Sequence, residues 1–107
     1  MKILLDECVT KHLSPYLPHH EVSTVSKQGW SGIKNGELMT VAILAGFEVL
    51  PIIDKNFQHQ QNIGKYNLIV VVLDTPSSKL EILIQYLPAF QQQLLSFAKG
   101  NAYLVSL

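Results

Sequence analysis

Three apolar runs in this chain each end in an acidic residue, and that pattern constrains the fold more than any other feature. Ile3-Leu4-Leu5 runs into Asp6-Glu7, Ile52-Ile53 into Asp54, and Val70-Val71-Val72-Leu73 into Asp74. Short continuous apolar runs are the mark of strands buried on both faces, as in parallel sheets covered by helices. In such sheets ligands bind beyond the carboxyl ends of the strands. Three strands ending in Asp would therefore point three carboxylates at one rim.

The segments between these runs supply the covering helices. Val9, Leu13, Tyr16 and Leu17 fall at helical spacing behind Thr10, an N-cap candidate, and Pro15 keeps that helix short or kinked. Glu21 to Val25 alternates with period two and reads as an edge strand. A loop from Ser26 to Lys34 carries Trp30 between Gly29 and Gly32. Asn35 is the expected N-cap of the next helix, with Glu37 in its first turn and Leu38, Val41, Ala42 and Ala45 on its apolar face. The third strand, Phe47 to Ile53, contains Pro51, which gives up a ladder donor and predicts a bulge or local irregularity. Gln58 to Lys65 is polar, a loop or one helical turn. Asn67 to Leu73 is the most hydrophobic strand. Leu80 to Leu87 and Phe90 to Phe97 read as helical segments divided by Pro88, and Ala102 to Leu107 is a last strand. Strands alternating with helices imply right-handed crossovers. The expected fold is one α/β domain over residues 1–107. It is a three-layer α/β/α sandwich with a mainly parallel sheet of about five strands, the first strand flanked by the second and third.

Composition narrows the function. The chain has 107 residues, 48% hydrophobic and 15% charged, enough for one folded core. Eight basic residues balance eight acidic ones, so no global field draws in nucleic acid or an anionic membrane. Every basic residue is Lys, and phosphate contacts would rest on point charges and backbone groups. The single cysteine, Cys8, excludes an internal disulfide framework and a Cys-based zinc site, and is expected to be a small buried residue of a protein from a reducing compartment. Acid interrupts the first apolar run too soon for a signal peptide, and no run approaches the length of a membrane span. A cytoplasmic protein is expected.

Clustered carboxylates stay ionised together only around a cation. Asp6, Glu37 and Asp54, with Asp74 as a further candidate, offer oxygen donors only, which select Mg²⁺ or Mn²⁺. Such an ion activates water and neutralises phosphate charge, chemistry suited to phosphodiester hydrolysis. Asn56 is placed to orient a water or a phosphate oxygen, and Lys55 to meet the substrate backbone.

The segments Leu4-Leu5-Asp6-Glu7, Lys34-Asn35-Gly36-Glu37-Leu38 and Asp54-Lys55-Asn56-Phe57, in this order over residues 1 to 75, resemble the short PIN-like domains related to VapC-type toxin ribonucleases. The resemblance implies a metal-dependent endoribonuclease, the toxin of a toxin–antitoxin pair, neutralised by a small antitoxin protein. It implies Asp6, Glu37 and Asp54 as metal-holding catalytic acids, with Glu7 and Asn56 at secondary polar positions; Asn35, like Lys55, is a further candidate for contact with the RNA substrate. A fourth acid is common in that family, and here Asn56 or Asp74 must stand in for it. The apolar residues after Pro88 and in the last strand exceed what one small core requires and suggest a homodimer or an antitoxin surface.

Plainer roles exist for each residue. Asp6 and Asp54 can simply end strands. Glu37 is favourable in a first helical turn regardless of catalysis. Asp74 before Thr75-Pro76 is a common turn residue. Glu7 is either solvated or a second metal-site acid. Trp30 packs on the core or stacks on a base, packing being the commoner use. The four histidines show no ligand spacing. Two other functions share the outline. A receiver-like phosphoacceptor would use Asp6-Glu7, Asp54 and Thr75, but would need a Lys after its fifth strand, and Ala102 to Leu107 has none. A catalytically inactive PIN-like binding module would keep the fold without the chemistry.

Overall fold

The computed structural model describes residues 1–53 and 62–107. Five strands form one parallel sheet: β1 (Lys2–Leu5), β2 (Glu21–Thr24), β3 (Val49–Ile52), β4 (Ile69–Leu73) and β5 (Asn101–Val105), in the order β2-β1-β3-β4-β5. β1 lies between β2 and β3, as expected. Alternation along each strand divides the apolar side chains between two faces. Ile3, Leu5, Val49, Ile69, Val71 and Leu73 face one way, and Leu4, Leu50, Ile52, Val70 and Val72 the other. Both faces are buried, which is why these runs read as continuously apolar.

The first face packs on a 3-10 helix (Lys11–Tyr16) and on the C-terminal helices α2 (Leu80–Leu83) and α3 (Leu87–Leu94) through Leu13, Leu83, Tyr86, Phe90 and Leu94. The second packs on α1 (Asn35–Leu44) through Leu38, Met39 and Ala42. The result is a three-layer α/β/α sandwich. Each fully buried Leu, Ile, Val or Phe contributes about 1.5–3 kcal/mol, so the two apolar layers dominate the stability. Lys2 ties the layers at the amino end of the sheet. Its Nζ donates to the Ala45 carbonyl at 2.6 Å and lies 4.6 Å from the centre of the Phe47 ring. A cation there also opposes the negative end of the α1 dipole.

The local signals fare unevenly. Thr10 caps the 3-10 helix, its hydroxyl accepting the His12 N–H at 3.2 Å. Asn35 does not cap α1. Lys34 holds the cap position without a side-chain bond, and Asn35 is the first helical residue. The backbone of Lys34 is already extended there, so the turn into the helix falls one residue earlier than the Asn side chain suggests. Pro88 stands in the first turn of α3, after a 3-10 turn (Ile84–Tyr86), where its missing N–H costs nothing. Residues Ile63–Lys65 form a 3-10 turn. Phe97 has left the helix and stacks on Tyr103 of β5, with ring centres 3.9 Å apart.

Pro51 makes no bulge. β3 pairs β4 in unbroken register from Val49 opposite Ile69 to Ile52 opposite Val72. Its register with β1 is Ile3 opposite Val49 and goes no further. The Ile69 N–H donates to the Glu48 carbonyl, so backbone alternation turns the groups of Leu50 toward β4 and the nitrogen of Pro51 toward β1. The irregularity expected of this proline is therefore a shortened β1–β3 ladder.

Candidate active site

In a sheet of order 2-1-3-4-5 the chain reverses direction of growth between β1 and β3, and a crevice opens outside the carboxyl ends of those two strands. Asp6 follows β1 directly. Ile53, the last described residue before Asp54, follows β3. The ladder between the two strands ends short of this point because Pro51 has no donor for it.

Asp6 is half-buried and Glu7 exposed. A tight turn, closed by the Val9 N–H donating to the Asp6 carbonyl at 2.9 Å, folds the chain back. Cys8 thereby donates its thiol hydrogen to Asp6 Oδ2 at 3.0 Å. Cys8 is exposed, not the buried residue expected of a lone cysteine, because the turn leaves its side chain at the rim. Partial enclosure of the sulfur, together with the hydrogen bond to Asp6 and the repulsion of its charge, raises the thiol from its ordinary 9.0 to about 11. The backbone of Ile53 acts in the opposite sense, which puts the sulfur beside the end of β3 as well as the end of β1. The thiol is thus a neutral donor to Asp6 at the rim of the crevice.

Glu7 has a separate role. Its Oε1 accepts the Gly32 N–H at 2.7 Å. Gly32 has φ +85°, a conformation a side chain would resist, and it turns its amide toward the carboxylate. The Val25 N–H to Leu5 carbonyl and Trp30 N–H to Val25 carbonyl bonds, 3.1 and 2.9 Å, continue this attachment. Trp30 packs edge-on against Phe47, with ring centres 6.0 Å apart. The loop before α1 is thus fastened to the acidic rim, and α1 starts at that end of the sheet.

Glu37 lies in the first turn of α1, exposed, and makes no hydrogen bond or ion pair among the described residues. The cavity at Asp6, about 190 Å³, is lined by Glu7, Thr10, Lys11, Thr24 and Ser26 and not by Glu37. Among the described residues no three His, Cys, Asp or Glu side chains gather as a metal-holding group. Asp54, Lys55 and Asn56 lie outside the described residues. Asp74, after β4, is engaged in joining that strand to β5. Its N–H donates to Val105 at 2.8 Å, its carbonyl accepts from the Tyr86 hydroxyl at 2.7 Å, and its Oδ2 accepts from Ser106 at 3.2 Å. No sequence pattern marks Cys8, Lys11, Thr24 or Ser26 as residues of the site. The one available signal is the proximity of the first two to the Asp6-Glu7 pair.

Fold and rim together define a doubly wound parallel α/β domain with acidic residues at its switch point. No protein-family model matches the chain, nor does any curated protein or solved structure.

Proposed function

We propose that the protein is a divalent-metal-dependent endoribonuclease of the PIN-like kind, the toxin of a toxin–antitoxin pair. The observation that carries this reading is the position of Asp6 at the β1–β3 switch point, with Asp54 next in the sequence after Ile53, which follows β3. The donor chemistry fits a hard ion. Asp6 uses one oxygen for the Cys8 thiol and has no hydrogen bond to the other among the described residues.

Asp6 and Asp54 would hold the metal directly, and Glu37, which does not line the Asp6 cavity, would join them from the first turn of α1. A bound Mg²⁺ or Mn²⁺ supplies an activated water and neutralises charge on the scissile phosphate. Asn56 orients the water or a phosphate oxygen, and Lys55 and Asn35 meet the RNA backbone. Glu7 is a positioning residue that fixes the loop leading to α1. The exposed Leu95, just beyond α3, and Leu104 of β5, 87% and 47% accessible, are candidates for contact with a homodimer or antitoxin partner. No helix among the described residues is long and apolar enough to cross a membrane, and a cytoplasmic site of action belongs to the same proposal.

The test is induced expression of wild type beside Asp54→Asn and Asp6→Asn, following growth and cellular RNA, with Mn²⁺-dependent cleavage by the purified proteins. Loss of toxicity and cleavage in both variants is expected. Equal toxicity, or equal harmlessness, of all three proteins removes the catalytic reading.

A receiver-like phosphoacceptor is the second reading, favoured by the strand order, which receiver domains share. Against it, Thr75 is 5% accessible and its hydroxyl is spent on the Ser77 carbonyl at 2.7 Å. Phosphate incorporation from acetyl phosphate at Asp54 would favour it over the nuclease.

A further inference from the structure

A second and larger hollow adjoins the acidic rim. It is an open groove of about 560 Å³ along β2 and the 3-10 helix, lined by Lys11, His12, Ser14, Ser23 and Lys27 among others. Lys11, Thr24 and Ser26 line both this groove and the cavity that holds Asp6 and Glu7, so the two form one depression. β2 is the edge of the sheet, which leaves the groove open to an extended ligand.

Charge is segregated along that depression although the chain as a whole is balanced. No Asp or Glu lines the groove, and the two acids of the adjoining cavity stand beyond it. Lys11 and Lys27 are exposed and make no ion pair among the described residues. Two hydroxyls fix the backbone that carries these cations. Thr10 accepts the His12 N–H at 3.2 Å, and Thr24 accepts the Lys27 N–H at 3.0 Å. Unpaired lysines on a fixed backbone, interleaved with hydroxyl donors, are what a phosphodiester backbone needs for charge neutralisation and hydrogen bonding. No Trp, Tyr or Phe lines the groove, so it has no platform for stacking bases. Duplex RNA is gripped across two successive minor grooves, a span far beyond one short groove.

We infer that this groove binds the sugar-phosphate backbone of single-stranded RNA, independently of base sequence, and leads it to the acidic rim. The inference rests on the ribonuclease reading for the fate of the RNA but not for its binding. Lys11 and Lys27 take the phosphates. Ser23 and Ser26 hydroxyls reach phosphate oxygens or ribose hydroxyls.

The test is fluorescence-anisotropy titration of a labelled oligouridine with EDTA present, so that binding is read without cleavage. The proteins are wild type, the double variant Lys11→Ala/Lys27→Ala, the double variant Lys11→Arg/Lys27→Arg, and Lys99→Ala at the opposite end of the sheet. The alanine pair is expected to lose about tenfold or more in affinity. Its slope of log K against log salt should fall by about 1.4, since each phosphate that a lysine neutralises on a single strand accounts for about 0.7. The arginine pair and Lys99→Ala should bind as wild type does. Wild type that does not bind, an alanine pair that binds equally well, or an equal loss in Lys99→Ala overturns the groove. Metal-dependent cleavage is read in a parallel assay. Groove-dependent binding with no cleavage by wild type sinks the nuclease reading and upholds the groove. Cleavage alongside unchanged binding by the alanine pair does the reverse.

Discussion

The Cys8 thiol donates to Asp6 Oδ2 at 3.0 Å, so the acid at the end of β1 is partly satisfied by a neutral donor two residues away. The pair is also coupled electrically. The Asp6 charge opposes ionisation of the thiol, and the hydrogen bond disappears if the thiol ionises.

Cys8 reactivity should follow from this. With its pKa raised from 9.0 to about 11, the thiol stays protonated at neutral pH, and alkylation by iodoacetamide should be slow there and climb only toward pH 11. Asp6→Asn removes the repulsion and should move the profile to lower pH. The folded state binds this proton more tightly than the unfolded one, so the associated stability is present below about pH 9 and lost as pH rises through about 11. A wild-type alkylation profile centred near or below 9 would contradict the hydrogen bond.

If the proposed ribonuclease reading holds, Asp6→Asn should lower metal-dependent RNA cleavage by more than the roughly 10- to 100-fold typical of losing a partner of a metal ligand, with the melting temperature little changed. Cys8→Ala should leave cleavage within about that range, because the thiol only orients the carboxylate. Rates at saturating Mn²⁺ separate the two roles.

Gly32→Ala tests the fastening of the loop before α1. A Cβ there meets no atom within 4 Å, so crowding is absent and the cost is the φ of +85° itself, about 1–2 kcal/mol. Glu7→Gln keeps an acceptor for the Gly32 N–H and should cost less than Glu7→Ala. Urea midpoints for the three variants give the ranking.

Pro51→Ala restores a donor on the side of β3 that faces β1. The new amide should find the carbonyl of the neighbouring strand and extend the ladder. Hydrogen exchange should show it as protected as its neighbours. Rapid exchange would mean that something other than the proline keeps the strands apart at this end.

The C-terminal layer offers a stability contrast. Phe90 is buried between α3 and the sheet, whereas Leu95, just beyond α3, is 87% accessible. Phe90→Ala should cost about 3–5 kcal/mol. Leu95→Ala should leave the monomer's stability unchanged within about 0.5 kcal/mol. Chemical denaturation measures both, and a concentration-dependent loss in Leu95→Ala would reveal that this leucine is covered in a dimer.

Local chemistry along the chain suffices to specify the elements and the layers. Continuous apolar runs such as Ile69–Leu73 must be covered on both faces, and Thr10, Glu37 and Pro88 mark positions next to helix starts, so one parallel sheet between helices follows. The same runs also show that acids stand at the carboxyl ends of strands. Which acid does what emerges only from the folded arrangement. Apolar periodicity specifies burial but not the partner across the crevice, and so it cannot show that Glu7 is spent on Gly32, twenty-five residues away, or that Asp74 is occupied by β5. Nor could it show that Cys8 faces the rim, or that Lys11 and Lys27 border one groove. Those relationships depend on strand order and loop closure, which arise between residues far apart in the chain and leave no repeating signature along it.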